Sequence, residues 1–60
     1  MQGLATAKEV AAYLNVHVKS VDRWASTGVG PPFIRVEGAR RYRWADVEAY
    51  LAERTVATNG

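Results

Sequence analysis

The chain has 60 residues with a formal charge of +2, no cysteine and one histidine, so it forms a single small domain able to bury only about 60% of its unfolded surface. The missing cysteines exclude a disulfide framework, a thiolate metal site and a sulfur nucleophile, and one imidazole cannot hold zinc. With no run of about 18 apolar residues and no basic segment leading into an apolar one at the N-terminus, a soluble cytoplasmic protein without a membrane partner is expected.

Thr6-Ala7-Lys8-Glu9 fits a capping box, in which a threonine hydroxyl and a glutamate three residues on satisfy orphan amides at a helix start. The spacing of Val10, Tyr13 and Leu14 predicts a helix from about Ala7 to Leu14, with Leu4 placed to pack on it from upstream. Asn15 tolerates the left-handed conformation that stops a helix. His17 stands where Ser, Thr, Asp or Asn usually caps the next helix, and an imidazole is a poorer acceptor for that role. A second helix follows from Val18 to Thr27, ending at Gly28 before Gly30-Pro31-Pro32 forces an extended turn. On it Val21 and Trp24 form the packing face, while Lys19, Asp22, Arg23 and Ser26 occupy the opposite, free face. Two short helices with almost no loop between them, the second having one buried and one polar edge, have the layout of a helix-turn-helix. The second helix of that motif enters a DNA major groove.

Phe33 to Val36 and Arg41 to Trp44 are short β-prone runs around Glu37-Gly38-Ala39-Arg40, a hairpin signal. If Ile34, Val36, Tyr42 and Trp44 all face inward, Val36 pairs with Tyr42 and Ile34 with Trp44, Glu37 opposes Arg41, and Gly38-Ala39-Arg40 is a three-residue loop. That register puts Arg35, Arg41 and Arg43 on the outer face and Arg40 at the tip. Four of the six arginines lie between Arg35 and Arg43, so the positive charge behind a sequence pI of about 9.4 is local. Asp46, Val47, Tyr50, Leu51 and Arg54 predict a third helix from about Ala45 to Glu53. Residues 1–54 thus form one domain, and 55–60 a flexible tail.

The six carboxylates are scattered, the histidine has no acidic neighbour in sequence and no glycine-rich phosphate loop is present, so no catalytic, metal or cofactor site is expected. The helix-turn-helix and the basic hairpin are two independent signals for nucleic acid. Val21, Trp24, Tyr42 and Trp44 read as core and not as base-stacking platforms. Asp22 repels phosphate, and reads as a carboxylate that accepts from a cytosine amino group or holds Arg23 or Lys19 in place. A protein-interaction domain using its basic face on an acidic partner is the competing reading, and competition by duplex DNA at low salt separates the two.

Over roughly residues 4 to 53 the chain resembles the excisionase group of the MerR-type winged helix-turn-helix superfamily. The resemblance rests on K-E-V-A-A-Y-L-N-V in the first helix, Arg23-Trp24 in the second, G-P-P-F-I-R-V leading into the hairpin, and R-Y-R-W-A-D-V-E-A-Y-L. Many members end the first helix with glycine and cap the second with serine, where this chain has Asn15 and His17. The resemblance implies a mainly α, winged helix-turn-helix fold: a recognition helix using Val18, Lys19, Ser20, Asp22, Arg23 and Ser26, and a wing using Arg35, Gly38, Arg40, Arg41 and Arg43. It implies a non-enzymatic recombination directionality factor of a phage or mobile element in a bacterial host. Such a protein binds repeated duplex sites beside neighbouring copies of itself and bends the DNA, so that a partner tyrosine integrase assembles for excision. Small AlpA-type regulators and the DNA-binding part of small terminase subunits share the fold and remain alternatives. A full MerR regulator is disfavoured, because no long dimerisation helix follows the third helix.

Overall fold

The computed structural model describes residues 3–55, in which five elements follow one another: α1 (Ala7–Leu14), α2 (Val18–Thr27), β1 (Ile34–Val36), β2 (Ala39–Arg41) and α3 (Trp44–Glu53). Beyond Thr55, the tail expected at 55–60 lies outside the described residues.

α1 starts on the capping box: the Glu9 N–H donates to Thr6 Oγ1 at 3.1 Å, and the Glu9 carboxylate accepts from the Thr6 N–H at 2.8 Å. It stops at Asn15, which is left-handed at φ 61° and ψ 44°. There the Asn15 N–H donates to the Ala12 carbonyl at 3.2 Å and the Val16 N–H to the Ala11 carbonyl at 2.9 Å, a Schellman pair with asparagine in glycine's usual place. His17 then opens α2, its Nδ1 accepting from the Lys19 N–H at 3.1 Å. The imidazole therefore acts as a side-chain cap, provided that Nδ1 is unprotonated.

The fully buried core consists of Ala5, Val10, Ala11, Val21, Tyr42 and Val47, with Leu14, Val18, Trp24, Phe33, Trp44 and Leu51 packed around it. Two apolar residues at α1, Tyr13 of the predicting spacing and Leu4 upstream, do not join the core. Tyr13 is 51% exposed: at about 100° per residue it lies about 110° from the middle of the arc formed by Val10, Leu14, Ala7 and Ala11. It turns instead toward α3, where its ring meets Trp44 edge-on at 5.2 Å and its hydroxyl donates to Glu48. Leu4 is 43% exposed, because Ala5 takes the inward position beside it. Ala5 bridges Tyr42 in antiparallel fashion, with N–H to O distances of 2.7 and 2.8 Å, so the segment before α1 is tied to the strand that leads into α3.

β1 and β2 form a two-stranded antiparallel hairpin pairing Ile34 with Arg41, Arg35 with Arg40 and Val36 with Ala39. This overturns the expected three-residue loop, the opposition of Glu37 to Arg41, and the pairing of Val36 with Tyr42 and of Ile34 with Trp44. The turn is Glu37-Gly38, with φ of 51° and 85°. Two consecutive positive φ values are those of a type I′ turn, whose twist matches that of the flanking strands; Gly38 adopts the second at no steric cost. Tyr42 bridges Ala5 instead of β1, and Trp44 is the first residue of α3, one position earlier than predicted. The fold is a mainly helical winged helix-turn-helix.

Candidate nucleic-acid interface

α2 is anchored by Val21, which is fully buried, and by Val18 and Trp24, which pack on the core from its edges. Trp24 is held closely from the far side: a Cβ placed on Gly30 would lie 2.9 Å from the Trp24 Cβ, so the turn after α2 passes where only glycine fits. Lys19, Asp22, Arg23 and Ser26 are exposed on the opposite face and Ser20 is half-buried. The Ser26 hydroxyl donates to the Asp22 carbonyl at 3.2 Å, and that of Thr27 to the Arg23 carbonyl at 3.0 Å. Both spend their proton on the helix itself, which leaves Lys19 and Arg23 as the long donors of this face.

The corrected register rearranges the arginines of the wing. Residues directly opposite in a ladder share a side, so Arg35 and Arg40 lie together with Phe33 and Tyr42, whose rings are 5.8 Å apart. Arg40 is therefore not at the tip. It lies within β2, turned toward α2, and pairs with Asp22. The carboxylate that was expected to hold Arg23 or Lys19 holds an arginine from the wing. Arg41 shares the other side with Ile34 and donates to the Arg40 carbonyl at 2.8 Å. Arg43, expected beside Arg35 and Arg41, precedes α3 and meets Asp46 at 3.4 Å. Gly38 is at the tip with Glu37. Among the described residues Lys19, Arg23, Arg35 and Arg41 make no ion pair.

Three features were not read from the sequence: the buried Ala5 bridge, Phe33 as a platform for arginines, and Arg40 as the partner of Asp22. The last two were within reach of the Glu-Gly dipeptide, since a two-residue turn at that point puts Arg40 on the Phe33 side.

One exposed helix face thus adjoins a basic hairpin, and the family model described as Helix-turn-helix domain matches residues 6–55. The chain belongs to this helix-turn-helix domain family. Membership carries sequence-specific binding of double-stranded DNA, and domains of the family are in general not enzymes. No curated protein matches the chain. Among the described residues, no group of three or more His, Cys, Asp or Glu side chains is placed to hold a metal ion, and no helix is long and apolar enough to cross a membrane.

Proposed function

We propose that this helix-turn-helix protein is an architectural factor of the excisionase type, which places α2 in the major groove and the hairpin over the flanking phosphates and bends the DNA. The observation that carries the reading is the contact of Arg40 with Asp22, because Asp22 belongs to the exposed face that holds Lys19 and Arg23. The wing therefore lies beside the reading face and can follow it onto the duplex. Arg23 and Lys19 reach base edges, where a bidentate arginine on guanine contributes about 1–3 kcal/mol of discrimination. Ser20 and Ser26 flank them, and Val18 orients the helix start through its packing. Arg35, Arg41, Arg43 and the Gly38 backbone meet phosphate, fixing register without reading sequence.

A single module of this size covers about 600–1,000 Å² of protein surface, so one copy binds weakly and with a steep salt dependence. Bending a site by about 40–90° costs on the order of 1–6 kcal/mol, a demand that neighbouring copies meet together. The excisive role, the bacterial cytoplasm and nucleoid as its place of action, and the tyrosine integrase as its partner follow from the resemblance carried by K-E-V-A-A-Y-L-N-V and R-Y-R-W-A-D-V-E-A-Y-L.

Titration of a fragment carrying several sites should fill them cooperatively, with progressively bent complexes in a mobility-shift assay, and should raise excision by a tyrosine integrase encoded nearby. Independent filling of straight DNA with no effect on excision leaves a small AlpA-type transcriptional regulator as the better account.

A further inference from the structure

Taking α2 and the hairpin as one DNA-binding surface, as proposed above, we infer that Asp22 and Arg40 form a strut that sets the wing's position against the recognition helix, and that neither side chain is a DNA ligand. Asp22 lies among Lys19, Arg23 and Ser26 on the exposed face of α2, where a bare carboxylate repels phosphate. Arg40 of β2 takes that carboxylate instead.

Arg40 is not a free surface arginine. Its side chain is 21% exposed against 55% for Asp22, and its guanidinium carbon lies 5.6 Å from the centre of the Phe33 ring and 5.9 Å from that of Tyr42. Its Nε is buried without a hydrogen-bond partner. A cation this far withdrawn from water depends on its counter-ion, so drawing it out to a phosphate would break the ring contacts and leave Asp22 unpaired beside DNA.

Arg35 gives the pair a second task. It stands directly opposite Arg40 in the ladder, with its guanidinium carbon also 5.6 Å from the Phe33 ring centre. Like charges directly opposite disfavour pairing of the strands. Asp22 offsets this repulsion and leaves Arg35 as the cation on that side for DNA. The strut joins the middle of β2 to the middle of α2, so it couples the element that holds phosphate to the element that reads bases.

Strut and simple repulsion of phosphate predict opposite signs for Asp22→Asn, and strut and separate DNA contacts predict different double variants. On a duplex selected by the wild-type chain from a randomised pool, Asp22→Asn should weaken binding by about tenfold and Arg40→Gln by a similar factor, with the double variant no worse than either, because coupled residues act as a unit. Tighter binding by Asp22→Asn means that the carboxylate only repels DNA, and additive losses in the double variant mean that Arg40 contacts phosphate separately; either result overturns the strut. A readout without DNA accompanies these. Amide hydrogen exchange in Ile34–Arg41 should quicken in Asp22→Asn while Val10 and Val21 keep their wild-type rates. Unchanged exchange in the hairpin, or a rise of equal size everywhere, overturns the strut as well. If the wild-type chain selects no duplex, the DNA-binding reading falls, and the exchange pattern alone decides whether the pair positions the wing.

Discussion

Asn15 and His17 stand where many proteins of the resembling group carry glycine and serine, and each performs the substituted task by its own chemistry. Asparagine tolerates φ 61° because its short polar side chain lowers the penalty of the left-handed region. Histidine caps through Nδ1 and not through a hydroxyl. Residue types at such positions can be read from sequence when the backbone demand is known, and both the stop and the start of the turn were legible. Tyr13 was not, because i, i+3 spacing from Val10 matched a helix face without revealing which side of Val10 the face extends to. Its exposed hydroxyl donates to Glu48, and the hydrogen bond together with the nearby negative charge holds its pKa above the usual 10.0. The bond requires the neutral phenol, so its contribution is complete below about pH 10 and is lost as pH rises through the elevated value. Thermal midpoints of wild type and Tyr13→Phe, followed from pH 8 to pH 11, should therefore converge at the alkaline end. A gap that stays constant across the range contradicts the Glu48 contact.

Among the elements, the three helices were legible almost to the residue: α1 from its capping box and its stop at Asn15, α2 from that stop and from Gly28 after it, and α3 from apolar spacing and charge placement, since Arg43 makes no side-chain cap hydrogen bond. The hairpin was not. Its expected register was chosen to turn Ile34, Val36, Tyr42 and Trp44 inward together, but Tyr42 is buried through its bridge to Ala5, and Val36 is 44% exposed. The I′ turn decided the pairing, and its signal was partly hidden because Glu37 is an uncommon residue at positive φ. This yields a test specific to the register. Glu37→Asn places the favoured Asn-Gly dipeptide in the turn and should raise stability by about 0.5–1 kcal/mol in chemical denaturation. With Glu37 in a strand, as the three-residue loop requires, asparagine lowers stability instead.

On the scale of the whole molecule, a core of Ala5, Val10, Ala11, Val21, Tyr42 and Val47 holds together a helix-turn-helix, a hairpin and a closing helix. The density of arginines between Arg35 and Arg43 was legible in the sequence and marked the hairpin as the basic element of the proposed surface. Which arginine faces which element depended on the register and could not be read without it. In the proposed division of labour, α2 reads bases through Arg23 and Lys19, and the wing holds phosphate through residues such as Arg35. This division is tested most directly by salt titrations of Arg23→Ala and Arg35→Ala on the selected duplex and on a scrambled one. Arg23→Ala should lose about 1–3 kcal/mol on the selected duplex and little on the scrambled one. Arg35→Ala should lose equally on both and reduce the slope of log affinity against log salt by about 0.9. Equal losses on both duplexes for Arg23→Ala, or unchanged binding by a folded Arg23→Ala and Lys19→Ala, contradict the assignment of α2 as the reading helix.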